Sequence, residues 1–240
     1  MNELVFVVCL SLIAGLAMPA GAVFARLDRL HPEWLSSEWR HFIVAFGGGA
    51  LLSAVALVLI PEGVEQLSIV WTAISFAAGG VCFCLLDIML DRHQSPAGQM
   101  VAMLADFVPE AIALGAAFAL GQDTGMLMAA LIVLQNLPEG FNAFEELTES
   151  SNYRPNRIVL AFSAMALLGP MAAVTGYVWF ANDLQLLAAL MLFAGGGILY
   201  LVFDDIAPQA KLHHRWMPAL GAVTGFLLGL IGSMISAATQ

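Results

Sequence analysis

Apolar runs of about 20 residues, the length a helix needs to cross a hydrocarbon core of roughly 30 Å, recur along the whole chain. They fall near 2–24, 41–60, 68–90, 98–120, 125–144, 158–181, 184–206 and 217–238, joined by short polar connections. The 240 residues are 60% apolar and only 11% charged, and the mean hydropathy is +0.87, far outside the range of soluble globular domains. The pattern predicts one all-α polytopic transmembrane domain over 1–240, with eight membrane-spanning helices and no room for a soluble domain. The first run is expected to be retained rather than cleaved, since no Lys or Arg precedes it and Glu3 does. Cys9, Cys82 and Cys84 lie within predicted spans. They read as packing residues, because Cys82 and Cys84, two apart, point to different helix faces.

The eight basic residues set the expected orientation. Arg26, Arg29 and Arg40 follow the first span, Arg92 the third, Arg154 and Arg157 the fifth, and Lys211 and Arg215 the seventh. All occupy odd-numbered connections, which the positive-inside rule makes cytoplasmic, so both termini are expected to be extracytoplasmic. Glu3, Glu62, Glu65, Asp123 and Asp183 stand on the opposite side without a basic residue among them. They would draw cations in, or only keep the outer connections solvated. A net charge of −10 argues against a nucleic-acid partner, which requires a basic surface.

Two segments look like copies of one another. FGGGALLSAVALVLIPE begins at Phe46 and FAGGGILYLVFDDIAPQ at Phe193; glycines follow each phenylalanine, and a proline closes each run fifteen residues on, at Pro61 and Pro208. The second and seventh spans would run in opposite directions, so the copies form an inverted repeat of the kind found in secondary transporters. The competing reading makes Gly47–Gly49 and Gly195–Gly197 no more than small-residue packing faces.

A second pair of copies carries the chemistry. DFVPEAIALG in the fourth span resembles QNLPEGFNAF in the fifth. Asp106 and Glu110 are four apart, as are Gln135 and Glu139, which stacks each pair on one helix face. Pro109 and Pro138 donate no backbone hydrogen bond, so the carbonyls of Ala105 and Leu134 lose their usual partners beside Asp106 and Gln135. An oxygen-rich cage is the expected result. An ionised side chain at mid-membrane costs about 2.5 to 3.5 kcal/mol, so Asp106, Glu110 and Glu139 together cost on the order of 8 to 10 kcal/mol if unpaired. No Lys or Arg lies within a span to offset this, which leaves a metal ion or protons as the positive visitor. The alternative is that the acids are protonated and the prolines only kink their helices.

The paired Pro-Glu motifs of the fourth and fifth spans, the eight-span layout and the seventh-span FDDIAP resemble the ZIP (Zrt/Irt-like) divalent-metal transporters over essentially the whole chain. The family's fourth-span pattern, His-Asn-x-Pro-Glu-Gly, reads Asp106-Phe107-Val108-Pro109-Glu110-Ala111 here, and its fifth-span pattern reads Gln135-Asn136-Leu137-Pro138-Glu139-Gly140. The resemblance implies a ZIP-like fold and a metal site of Asp106, Glu110, Gln135 and Glu139, with Asn136 as an outer ligand. Asp106 replaces the family's usual imidazole. Phe107 replaces an Asn of a second, adjacent site, and Leu167 stands near the place of a sixth-span Glu. One intramembrane site is therefore expected. Zinc comes first by resemblance, and the hard oxygen set makes manganese or iron plausible beside it.

His31, His41, His93, His213 and His214 all map to the cytoplasmic side or its edge. His213 and His214 would receive departing metal, or belong to an ordinary basic loop with Lys211 and Arg215; the latter is preferred. Glu145, Glu146 and Glu149 read as an exit relay or a solvated helix end, Asp204 and Asp205 as gating or interfacial groups, and Asp87 as interfacial. The expected activity is uptake of a divalent metal by alternating access, elevator-like by resemblance, with no enzymatic function and no prosthetic group. A transport-inactive metal sensor or structural subunit is the alternative, and an intramembrane enzyme a more distant one, since neither Gly-x-Gly-Asp nor His-rich boxes occur. The expected partners are divalent metal ions and the lipid bilayer, with a homodimer left open; the compact chain suggests a bacterial inner membrane.

Overall fold

A computed structural model describes residues 3–31, 35–93, 97–120, 124–212 and 215–239; among them the chain forms helices and no strand. Eight long helices follow one another: α1 (Glu3–Leu30), α2 (Ser37–Gln66), α3 (Ile69–His93), α4 (Ala97–Ala119), α5 (Thr124–Ser150), α6 (Pro155–Asn182), α7 (Leu184–Ala210) and α8 (Met217–Thr239). Each apolar run falls on one of them, and most helices extend past their run at one end or both. Seven are long and apolar enough to cross a membrane. The exception is α5, whose 27 residues suffice in length but include Gln135, Asn136, Glu139, Asn142, Glu145 and Glu146, which depress its hydropathy. The protein is a multi-pass membrane protein.

The helices pack as two sets of four. In one, α1 lies along α5 and α6, and α4 lies along α6; in the other, α2 packs on α8 and α3 on α7. The sets meet where α5 crosses α2 and α4 crosses α7. These crossing helices form the interior, whereas the spans of α3 and α8 have only 11% and 17% of their residues buried and face outward. Between α2 and α7 the directions are opposed: Gly48 faces Ile206 near one end and Gly63 faces Leu192 near the other.

Glycines set the closest approaches. A Cβ on Gly49 would strike the carbonyl of Ala222 on α8, and one on Gly225 the carbonyl of Phe46 on α2. The same reciprocal pair joins α7 to α3, where Gly196 meets the Phe76 carbonyl and Gly79 the Phe193 carbonyl. Phe46 and Phe193 are the residues that open the two similar segments. Each glycine triplet is thus a packing face, and both faces use the same positions.

The second shared feature is a π-turn, Val55–Leu59 in α2 and Val202–Ile206 in α7, each beginning nine residues after its phenylalanine. Pro61 and Pro208 lie two residues beyond. A proline ring clashes with the carbonyl four residues earlier and offers no N–H to it, and widening the preceding turn to i→i+5 bonding relieves the strain. The Ile60 and Ala207 amides accordingly bond to the carbonyls of Val55 and Val202, five residues back.

Candidate metal site

At the crossing, Asp106 and Glu110 on α4 and Gln135 on α5 are buried, and Glu139 is partly buried. Pro138, between Gln135 and Glu139, packs against Gly47 of α2, where a Cβ would come within 2.9 Å of its ring. The absent side chain at Gly47 lets α5 approach close enough to bring its polar face into the crossing. Asp106, Gln135 and Glu139 line one cavity of about 30 Å³, which also receives Asn142 of α5 and Asp205 of α7. By the usual measure that is room for about two water molecules.

Glu110 is placed differently. Its Oε2 accepts a 2.5 Å hydrogen bond from Gln135 Nε2, and its side chain lines a smaller cavity of about 10 Å³ walled by Ala54, Val58, Leu59, Met128, Leu131 and Ile132. The four expected ligands are neighbours, therefore, but three face one cavity and the fourth another. Among the described residues no group of three or more His, Cys, Asp or Glu is gathered closely enough to hold a metal ion. Asp106, Glu110 and Glu139 are near enough for their charges to act on one another, and Asp205 acts on Glu139 as well.

Three buried oxygens at this point have no hydrogen-bond partner: Oε1 of Glu110, Oε1 of Gln135 and Oε2 of Glu139. Buried polar atoms in proteins are nearly always paired, with water or an ion completing the set where the chain does not. The donor set suits a hard divalent cation, with carboxylate and amide oxygens and neither imidazole nor thiolate. The Gln135 amide nitrogen is committed to Glu110, which leaves its Oε1 as the free end of that side chain.

Asn136 lies on another face of α5, buried, its Nδ2 donating to the Ala14 carbonyl of α1 at 3.0 Å. It fastens α5 to α1 and does not line the central cavity. Phe107 is fully buried, and its ring fills the space beside Gly15 of α1 and Gly169 of α6, so this position serves apolar packing. Leu167, at the break in α6, is 59% exposed and points away from the core.

Two residues in and beside the cavity, Asn142 and Gln209, were not singled out in the sequence. Asn142 Nδ2 donates to Gln209 Oε1 at 2.5 Å, and Gln209 Nε2 in turn donates to Asp205. Glu146 is also within reach of Gln209 and of the Asp205 charge. The signal was present as spacing, with Asn142 and Glu146 three and seven residues after Glu139 on one face, and Gln209 four after Asp205. Asp204, by contrast, is exposed, and Asp87 accepts a 3.2 Å hydrogen bond from the Tyr200 hydroxyl. At the same end, the buried Asp28 of α1 pairs with Arg40 of α2 at 2.8 Å, near Glu145. Asp123, His213 and His214 lie outside the described residues, as do the side chains of Arg92 and His93.

Fold and site together define a class: a helical multi-pass membrane protein with a buried, acidic crossing between two helix sets. No protein-family model matches the chain, and no curated protein matches it.

Proposed function

We propose that the protein carries a divalent metal cation across the membrane by alternating access, as its resemblance to ZIP transporters implies. Zinc is the first candidate, and manganese or iron fit the same oxygens. The observation that carries this reading is the set of three buried oxygens without a hydrogen-bond partner, on Glu110, Gln135 and Glu139, beside Asp106 in a core whose apolar runs contain no Lys or Arg. Leaving the carboxylates of Asp106, Glu110 and Glu139 charged and unpaired at mid-membrane costs on the order of 8 to 10 kcal/mol, and a dication offsets it.

In this reading the ion meets Asp106, Gln135 and Glu139 in the central cavity, and Glu110 joins as Gln135 releases it. Asn142, Asp205, Gln209 and Glu146 then offer oxygens toward the side that carries the basic connections, taken as cytoplasmic with both termini outside. Val58, Leu59, Met128, Leu131 and Ile132 close the opposite side. The set of α1, α4, α5 and α6 would carry the ion past the set of α2, α3, α7 and α8, whose matching glycine pairs and π-turns support an inverted repeat. A bacterial inner membrane is the proposed location.

A transport-inactive metal sensor is the second reading, and the 2.5 Å Gln135–Glu110 bond favours it, since that bond occupies two of the four proposed ligands. Uptake of zinc, manganese and iron(II) into proteoliposomes separates the two. Saturable uptake by the wild type is expected. Binding of metal without uptake would leave the sensor as the better reading.

A further inference from the structure

We propose that the groove between α2, α7 and α8 binds an anionic phospholipid, with an acyl chain along its floor and the phosphate at Lys211 and Arg215. The groove, at about 320 Å³, falls within the range of roughly 300 to 1,000 Å³ usual for small-ligand sites. Six of its lining residues are small, Ala45, Gly48, Ala207, Ala210, Ala219 and Ala222, and the larger ones, such as Leu52 and Ile206, are apolar, so the recess offers hydrocarbon-like walls. Phe203 borders it and is 66% exposed, which leaves the recess open to surrounding hydrocarbon.

The charge lies at one end. Lys211 and Arg215, two of only eight basic residues, line the groove. Arg215 is fixed there by a 2.7 Å ion pair to Glu38 of α2, and among the described residues Lys211 has no ion-pair partner. Trp216, 82% exposed, stands beside them, and tryptophan in that position marks the headgroup level of a bilayer. Cations at headgroup depth above an apolar recess match the two halves of an anionic lipid, and basic side chains at that depth are drawn to a negative membrane surface.

The site adjoins the central crossing. Gly48 and Ile206 line both the groove and the central cavity, and a Cβ on Gly48 would reach within 2.8 Å of Ile206. A chain pressed into the groove would therefore bear on the π-turn that presents Asp205.

The test uses the full-length protein in detergent and does not depend on transport. Thermal unfolding is followed as phosphatidylglycerol or phosphatidylcholine is added, and retained lipid is counted by mass spectrometry. Wild type is expected to gain several degrees more from phosphatidylglycerol than from phosphatidylcholine and to retain it through purification. Lys211→Gln should remove at least half of that difference, and Ala219→Phe, which fills the recess at an exposed position, should remove most of it; Arg154→Gln/Arg157→Gln should leave it intact. Equal responses of wild type and Lys211→Gln to the two lipids would overturn the proposal. So would full phosphatidylglycerol retention by Ala219→Phe, which would reduce the effect to headgroup attraction by the connection alone. If Ala219→Phe does not fold, lipid retention by wild type and Lys211→Gln decides the matter.

Discussion

The two sides of the central crossing share a backbone plan and differ in side chains. Three residues beyond its motif glutamate, α5 carries Asn142 where α4 carries Ala113; seven beyond, it carries Glu146 where α4 carries Ala117. The π-turns differ in the same sense. Twelve residues after the opening phenylalanine, α7 presents Asp205 to the central cavity, whereas α2 presents Val58 to the small cavity beside Glu110. Leu201 and Ile206 likewise find counterparts in Ala54 and Leu59. In the proposed transport reading one half is a polar path and the other an apolar seal, without a change of helix geometry. Helices of one backbone plan can thus differ in what they admit, since polar walls hold water and apolar walls do not.

That difference can be broken at the site itself. Glu110→Ala/Glu139→Ala removes the carboxylates on which both halves converge, and proteoliposome metal uptake should fall to background; unchanged uptake sinks the assignment. Giving the seal the chemistry of the path comes next. Val58→Asp buries a carboxylate among Leu59, Met128, Leu131 and Ile132, and should destabilise the protein by about 2.5 to 3.5 kcal/mol, read from its unfolding midpoint. The reverse exchange, Asp205→Val, should leave stability unchanged or raised and slow uptake about tenfold, or about 1.4 kcal/mol. Finally, Asn142→Ala leaves Gln209 Oε1 without its donor and should slow uptake about threefold to fivefold, the effect of one hydrogen bond of about 1 kcal/mol. If the last two variants were faster than wild type, the polar side would not be the path.

Much of this was legible in the sequence. Eight apolar runs became eight helices because length and hydropathy govern a chain in lipid. α5 was the least apolar of them for the reason that makes it of interest, its polar face. The proline spacing after Phe46 and Phe193 marked the similarity of α2 and α7, but the π-turns it produces depend on how each helix relieves its proline, which residue counting does not reveal. Within the site, four-residue spacing placed Asp106 with Glu110 and Gln135 with Glu139. It could not show that Glu110 would face the seal while Glu139 faced the path, because that follows from the crossing of α4 with α7 and of α5 with α2. Asn136 was read with the ligands for its place in the motif, and its hydrogen bond to the Ala14 carbonyl across the interface could not be foreseen from that spacing. Gln209 was missed although Asp205 stands four residues before it, because its other partner, Asn142, comes from a distant helix.

The π-turns have a mechanical consequence. Each holds one residue more than a regular coil of the same length needs, and such slack can migrate along a helix without unwinding it. Every residue it passes is swivelled by about 100°, the angular step of one residue in a 3.6-fold coil. With slack in both α2 and α7, Val58 and Asp205 stand on walls that can rotate in place, so that either face of the crossing could be re-aimed while the glycine-bound contacts to α8 and α3 stay fastened.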